Sequence, residues 1–263
     1  MKNKSQTTLF VIVSILIVST ILLFFFITRG KTILKPEISY IEPEEYIKKC
    51  AKDSVTDAIN ILLDQGGNLN PKNYLIFENK KVSFLCYNRN YYSSCIIQYP
   101  LLVNHIENEI IDYSLPKIKD CLYNLSKNYK ERGYEIDYDQ PKLEIKLKPN
   151  KVDINILFQK GLIISKEDSL KKYDEIKTYI SSPIYDLADL ALEIASQEAK
   201  YCYFSVLGYS LLYQRIEVKV TPSLRTLNNP ERIERGKIYI LKDIYSGKKF
   251  YFAVRGCEIP PGI

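Results

Sequence analysis

The sequence predicts an α+β protein in which an N-terminal transmembrane helix precedes a mostly antiparallel sheet with packed helices. Three observations support this prediction. Residues 9–27 form an unbroken apolar run, three later regions have helical periodicity, and strand-like alternation follows each of those regions. The 263 residues are 46% hydrophobic and 26% charged, a composition that supports a packed core and excludes an intrinsically disordered chain.

The positive charge is concentrated near the N-terminus. The chain carries a net charge of +6, but residues 1–31 hold four basic residues and no acidic one, so the remainder carries only +2. Acidic and basic residues are interspersed through that remainder, which is not the pattern of a nucleic-acid-binding surface. We therefore predict no nucleic-acid partner.

The apolar run at residues 9–27 has the length of a membrane-spanning helix. Its nineteen residues include no charge, proline or glycine, and as a helix they extend about 28 Å, close to the ~30 Å hydrocarbon core of a bilayer. The hydroxyls of Ser14, Ser19 and Thr20 can bond to preceding helix carbonyls. A cleavable signal peptide has a shorter apolar region, of about 7–15 residues, so we predict an uncleaved signal anchor.

The cysteines favour an oxidising compartment for the rest of the chain. All six follow the anchor: Cys50, Cys86, Cys95, Cys121, Cys202 and Cys257. An even count in a membrane-tethered domain indicates up to three disulfides and an oxidising compartment. With the anchor, this predicts a single-pass cell-membrane protein with a cytoplasmic N-terminus. Residues 1–8 are then a tail, residues 28–43 a tether, and residues 44–263 an extracellular α+β domain with a possible subdivision near residues 167–183. Reduced thiols in a cytosolic domain are the alternative.

The pairing of these cysteines stays open, because six cysteines allow many connectivities. Local geometry favours two pairs. Cys86 and Cys95 flank turn-forming residues and could close a hairpin, whereas Cys50 and Cys121 lie near the starts of two amphipathic helices and could join them. The remaining two are Cys202 and Cys257.

The elements of the domain follow from periodicity and from turn residues. Residues 44–65 predict a helix, with Pro43 in its first turn and Gly66-Gly67 as a left-handed C-cap. Further helices are predicted at residues 102–113, 114–132 and 183–200. Strands are predicted at residues 74–77, 82–87, 134–138, 143–147, 152–158, 162–165, 215–221, 237–241 and 250–254. The predicted turns include Glu78-Asn79-Lys80, Pro149-Asn150 and Lys160-Gly161.

Known catalytic motifs are absent from the sequence. It contains no G-x-S-x-G, P-loop or G-x-G-x-x-G pattern, and its single histidine, His105, rules out an H-E-x-x-H zinc motif. No C-x-x-C occurs, and His105 is distant in sequence from every cysteine, so we predict no metal site and no cofactor. His105 has no adjacent nucleophile, which favours a surface or capping role over general-base catalysis. We predict that the chain is not an enzyme.

An aromatic loop between Cys86 and Cys95 is a candidate binding site. Arg89, Tyr91 and Tyr92 combine large contact area with polar groups, which is the composition of recognition surfaces. A disulfide between the two cysteines would preorganise this loop and reduce the entropy lost on binding. An ordinary hairpin is the alternative interpretation.

Three carboxylates lie on one face of the predicted helix at residues 183–200. Asp186, Asp189 and Glu193 stand at positions i, i+3 and i+7. Paired acids or metal ligands need this spacing, but it also describes the solvated face of an amphipathic helix, which is the interpretation that we favour. A deep pocket that gathers these residues with other polar groups would favour a functional role.

Parts of the chain resemble one group of membrane proteins. The resemblance lies in the helix that carries Cys50 and ends at Gln65-Gly66-Gly67, the helix around Cys121, the alternating strands beyond it and the ending Phe252-Ala253-x-Arg255. Together these features are similar to single-pass membrane proteins of uncharacterised function encoded by small-genome archaea. The resemblance implies an anchored exterior domain in an archaeal membrane, and it implies no activity and no functional residue.

The N-terminus also resembles that of archaeal type IV pilins, through the run KSQTTLF at residues 4–10. In that family a peptidase cuts just before the position of Gln6, and the apolar helix then packs into a filament. This chain has Ser5 where Gly or Ala usually precedes the cut, and no Glu early in the mature helix. The resemblance implies a filament subunit as an alternative function.

The expected function is therefore non-enzymatic. We expect a membrane-anchored exterior domain for surface binding, adhesion or envelope organisation. Its partners are the membrane, through residues 9–27, and an unknown protein or glycan at the cell surface. The alternatives are a pilin-like filament subunit and an enzyme without a recognisable motif.

Overall fold

The computed structural model describes these parts of the chain: residues 13–23, 42–90, 93–166, 169–226 and 233–256. The chain divides into two units, Met1–Glu42 and Pro43–Ile263. In the first unit, residues 13–23 form helix α1. The hydroxyls of Ser19 and Thr20 donate to the carbonyl of Leu16 at 3.0 and 2.9 Å. These bonds confirm the expected back-bonding of hydroxyl side chains in this helix.

The predicted membrane span at residues 9–27 falls only partly within the described residues. Among the described helices, none combines the length and the apolarity that crossing a bilayer requires. The predicted tail at residues 1–8, with the cleavage position before Gln6, lies outside the described residues, as does the predicted tether up to residue 41. The anchor therefore stays a prediction.

The second unit is an α+β domain with mostly antiparallel pairing, which confirms the predicted class. Its described helices are α2 (Pro43–Asp64), α3 (Leu102–Lys130), α4 (Ile184–Tyr201) and α5 (Val206–Leu212). Its described strands are β1 (Tyr74–Phe77), β2 (Lys80–Tyr87), β3 (Ile96–Ile97), β4 (Glu135–Asp137), β5 (Lys142–Lys148), β6 (Lys151–Lys166), β7 (Ser169–Ser181), β8 (Ile216–Thr226), β9 (Ile233–Asp243) and β10 (Lys249–Arg255).

The described strands form two sheets. The larger has the order β1-β2-β10-β9-β8, with β3 also paired to β2, and its one parallel pair joins β2 to β10. β1 lies beside β8, the opposite edge of this sheet, so the sheet curls towards a barrel. The smaller sheet is antiparallel, with the long strand β6 paired to β4, β5 and β7.

The main hydrophobic core joins both sheets to α2, α3 and α4. α2 and α4 each contact strands of both sheets. A second, smaller core is formed by Leu75, Val82, Phe84, Ile238, Tyr251 and Ala253, on strands of the curled sheet. α4 is therefore fixed along one side by the core, and its opposite side is free to form a surface.

The turn and helix-end residues of the sequence predicted α2 and the first hairpin correctly. Pro43 begins α2, and Gly66 and Gly67 follow it with φ values of 69° and 81°. A Cβ at Gly66 would lie 3.0 Å from the Cβ of Ser83, so glycine is required there by space as well as by conformation. The turn between β1 and β2 has Glu78 and Asn79 at φ of 49° and 62°, as a tight two-residue hairpin turn requires.

Two predicted breaks were wrong. The predicted boundary between the helices at residues 102–113 and 114–132 is absent, because α3 continues through Ser114, whose side chain is buried. Pro116 removes one hydrogen-bond donor from α3, but both Pro116 and Asp112, whose carbonyl loses that partner, are exposed, so water can bind the carbonyl. Lys160-Gly161 is not a turn between strands, because β6 runs through it with an irregular register beside β7.

Two disulfides confirm the favoured cysteine pairs. Cys50–Cys121 joins α2 to α3 across a sequence separation of 71 residues, and Cys86–Cys95 closes a loop with a separation of 9. Cys121 lies in the second half of α3 rather than near the start of a helix. Cys202 is also disulfide-bonded, and Cys257 lies outside the described residues.

His105 contacts the segment that follows α2. Its Nε2 lies 2.9 Å from Oδ1 of Asn68, and its ring stacks on Tyr99 with centroids 4.3 Å apart. Because the Asn68 amide nitrogen donates to Ser83, its Oδ1 is the acceptor, so Nε2 of a neutral His105 donates. Burial lowers the pKa of His105, and the nearby carboxylate of Glu109 only partly offsets this effect. His105 is half-buried within α3, and these contacts give it a structural role in the fold.

Acidification is expected to destabilise the domain through His105. Because the pKa of folded His105 is lower than the unfolded value, about 6.5, the unfolded chain binds more protons, and stability falls as the pH drops below that value. Urea unfolding of the full chain in detergent at about pH 7.5 and 5.5 measures this loss, above the range in which carboxylates titrate. The variant His105→Gln, which keeps an N–H donor, should show a flatter dependence. An equal pH dependence in both proteins would contradict this assignment.

A candidate binding groove between α4 and α5

A groove of about 920 Å³ lies between the outer side of α4, helix α5 and the first residues of β8. α4 presents its polar side to this groove because its apolar residues face the core. α5 stands opposite, after a short connection in which Ser205 caps the helix by accepting a hydrogen bond from the Gly208 amide at 3.1 Å. The groove is open to solvent, and the three carboxylates of α4 line it.

The acidic residues that share one face of α4 all line this groove. Asp186, Asp189 and Glu193 are part of its wall, together with Ser196 and Gln197. Asp189 and Glu193 are exposed, and Glu193 accepts a hydrogen bond from the Gln197 amide at 2.7 Å. The sequence predicted a solvated face here, and these two side chains are exposed. The structure adds that the face lines a concave surface with other polar groups.

Arg215 closes one end of the groove and is held in place by two carboxylates. Its Nε donates to Asp243 at 3.1 Å, and one terminal nitrogen donates to Asp186 at 3.3 Å and to the side-chain oxygen of Asn150. Burial alone would lower the pKa of Arg215, but the contacts with Asp243 and Asp186 raise it above its usual value. Arg215 is therefore a fixed cation whose charge is already paired.

Asp243 is a buried residue that holds Arg215 in position. It is 2% exposed, and its second oxygen accepts hydrogen bonds from the amide and the hydroxyl of Ser246 at 2.8 and 2.6 Å. Burial opposes ionisation, but the bonds from Ser246 and Arg215 hold the pKa of Asp243 below its usual range. The carboxylates of Asp243 and Asp186 together outweigh the single positive charge of Arg215, so they fix its position and leave no free positive charge at that end.

The electrostatic balance of the groove is negative. The lining contains three carboxylates and one guanidinium, which leaves a formal charge of −2, in a chain whose overall charge is +6. Asp189 and Glu193 account for this excess, because Asp186 is paired with Arg215. A concave surface with unpaired carboxylates attracts cationic groups.

The opposite wall of the groove is aromatic. Tyr209 and Tyr213 stack with centroids 5.0 Å apart, and Phe204 packs beneath Tyr209 at 6.0 Å. Burial raises the pKa of Tyr209, which keeps its hydroxyl neutral. Tyr213 is exposed. The faces of tyrosine rings bind both apolar stems and cations, so this wall suits the aliphatic part of a long basic side chain.

The other predicted binding site is described only in part. Arg89 is exposed in the loop that the Cys86–Cys95 disulfide closes, and Tyr91 and Tyr92 lie outside the described residues. The loop is further held by Asn88, whose amide nitrogen donates to the Ser94 carbonyl at 2.7 Å and whose side-chain oxygen accepts from the Asn90 amide at 3.0 Å. These contacts are consistent with a preorganised loop.

Sequence reasoning missed the aromatic wall and Arg215 as parts of one site. α5 carries a detectable signal, because Ser205 is a typical N-cap residue. Arg215 was assigned only to a strand start, and its pairing with Asp186 depends on how the chain folds. Within the described parts of the chain, no three His, Cys, Asp or Glu side chains are grouped so as to hold a metal ion.

The chain matches no protein-family model, no curated protein and no solved structure.

Proposed function

We propose that this chain is a single-pass membrane protein whose exterior domain binds a basic segment of a partner protein at the cell surface. The observation that carries the proposal is the groove beside α4, in which the unpaired carboxylates of Asp189 and Glu193 face an aromatic wall. The anchor at residues 9–27 and the exterior location of residues 44–263 are part of the proposal and rest on the apolar run and on the disulfides.

A lysine or arginine side chain fits this groove in two ways. Its charged end can pair with Asp189 or Glu193, and its aliphatic stem can lie against the ring of Tyr213. Disulfides suit this role, because they keep a small surface domain folded outside the cell. The proposal involves binding only and no chemical step.

The groove is tested by removing its negative charge without changing its shape. We expect Asp189→Asn with Glu193→Gln to weaken the binding of a fluorescent oligolysine peptide to the full chain in detergent micelles. Exposed ion pairs contribute about 0.2–1 kcal/mol each, so the loss of two should lower the affinity about two- to thirtyfold. Fluorescence anisotropy at low and high salt measures this change, and high salt should reduce the difference.

A matched control separates the groove from overall charge. Asp120→Asn with Glu131→Gln removes two exposed carboxylates of α3 and its C-cap, and it should leave the affinity for oligolysine nearly unchanged. Arg89→Ala should also retain binding, because that loop contributes a positive charge. Equal affinities in the groove variant and the α3 control would contradict the proposal, since net charge would then explain the binding.

A further inference from the structure

Helix α5 carries an exposed apolar ridge, defined here as Leu207, Leu211 and Leu212. These leucines are 73%, 73% and 77% exposed, and no residue of α5 is buried. Isolated exposed leucines are ordinary in soluble domains, but three on one seven-residue helix form a concentrated apolar surface. On the inner side of this region, Phe204 is buried and packs against Tyr209. The ridge is therefore not directed at the core.

The chain segment that contains the ridge has no charge, although Leu212 also lines the acidic groove. Residues 201–214 contain no Asp, Glu, Lys or Arg, and the nearest charges along the chain are Lys200 and Arg215. Tyr201 and Tyr203 flank the ridge and are 62% and 64% exposed. Tyrosines are enriched where a protein surface meets a bilayer, because their rings lie at the level of the headgroups. Exposed leucines between such tyrosines can insert among the lipids.

We infer that the ridge inserts into the surface of the membrane to which the chain is anchored, as a second membrane contact of the chain beside the anchor. This inference rests on the anchor in the proposed function. Fifteen residues separate the apolar run from Pro43, a reach of at most about 50 Å. A tether of this length permits the domain to contact the bilayer. Leu207 and Leu211, one helical turn apart, would enter the boundary between headgroups and acyl chains to a depth of about 5–10 Å.

Because the chain contains no tryptophan, a single introduced tryptophan can report directly on the surroundings of the ridge. Leu211→Trp places a single tryptophan on the ridge, and Leu207→Trp provides a second variant on the same side of α5. Tyr123→Trp is the control, at a side chain of α3 that is 66% exposed. The full-length variants are inserted into vesicles of phosphatidylcholine, either unmodified or brominated on the acyl chains, and tryptophan emission is recorded.

We expect both ridge variants to emit at shorter wavelength in vesicles and to be quenched by the brominated lipid. Bromine near the headgroup end of the acyl chain should quench more strongly than bromine near the terminal methyl group, because the expected depth is small. The Tyr123→Trp protein should give the same spectrum in both kinds of vesicle.

Three results would overturn the inference. Ridge tryptophans that stay unquenched at a water-exposed wavelength show that the ridge does not enter the bilayer. A shift to shorter wavelength without bromine quenching shows burial against protein, such as a second copy of the chain. Release of the protein from the vesicles by alkaline carbonate refutes the anchor itself, whereas retention with an unquenched ridge refutes only the contact made by α5.

Discussion

Replacing Cys50 with alanine is expected to lower the free energy of unfolding by about 4 kcal/mol. The disulfide joins residues that are 71 positions apart, and a crosslink across a long loop removes much of the conformational entropy of the unfolded chain. The bond also holds α2 against α3, two helices that share the main core. Urea unfolding of the full chain in detergent, under non-reducing conditions, measures the loss.

The effect belongs to the bond rather than to either side chain, and this gives the control. Cys50→Ala, Cys121→Ala and the double variant should be destabilised by nearly the same amount, because each of them lacks the same crosslink. Both cysteines are only half-buried, so truncation to alanine leaves a small cavity at most. Additive losses in the double variant, or wild-type stability in the single variants, would show that the bond does not stabilise the domain.

The parts of the fold that were predicted correctly depend on neighbouring residues. α2 has its proline at the start and its glycines at the end, and the β1–β2 turn has Asn79 at a positive φ. These signals are read within a few positions of the chain, so the sequence alone identifies them. The disulfide pairs are similar, because Cys86 and Cys95 are close in sequence, and Cys50 and Cys121 both lie on amphipathic helices.

The parts that were missed depend on distant residues. β7 was not predicted, because its sequence, SLKKYDEIKTYIS, lacks clean alternation. It becomes a strand by pairing along β6, from Lys151 opposite Ser181 to Lys166 opposite Ser169. The helices predicted at residues 102–113 and 114–132 are one continuous helix, α3, which includes Pro116.

In the candidate groove, too, the local helical spacing was predictable from the sequence and the tertiary contacts were not. The helical spacing places Asp186, Asp189 and Glu193 on one face of α4, and the structure retains that arrangement. Whether such a face is flat or concave depends on what folds against it, and α5 supplies the second wall. The neutralisation of Asp186 by Arg215, 29 residues away, likewise depends on tertiary structure. The excess negative charge of the groove could therefore not be assigned from the sequence.

Replacing Glu198 with alanine is expected to lower the free energy of unfolding by about 3 kcal/mol. Glu198 is 1% exposed, and its two oxygens accept hydrogen bonds from the Lys237 ammonium at 2.8 Å each. Tyr239 donates its hydroxyl to the same carboxylate. Burial and this hydrogen bond raise the pKa of Tyr239, so the hydroxyl stays protonated as a donor. Truncation would leave both donors without their acceptor.

The position of Glu198 explains why its partners matter. It lies in the last turn of α4, where the helix carbonyls disfavour a negative charge. Lys237 offsets this effect, since its ammonium also approaches the carbonyl of Cys202 at 3.4 Å. Because the side chain of Lys237 is 37% exposed, water can partly solvate it after truncation. The expected loss is therefore at the lower end of the range for buried pairs.

Glu193→Ala provides the matched control, because Glu193 is an exposed glutamate of the same helix. It should change the free energy of unfolding by less than about 0.5 kcal/mol. Tyr239→Phe removes one hydrogen bond and keeps the ring stacked on Phe252, at an expected cost of about 1 kcal/mol. Once Glu198 is absent, the Tyr239 hydroxyl has lost its acceptor, so Tyr239→Phe should then cost little or even stabilise the domain. If Glu198→Ala were as harmless as Glu193→Ala, the Glu198–Lys237–Tyr239 network would not stabilise the fold.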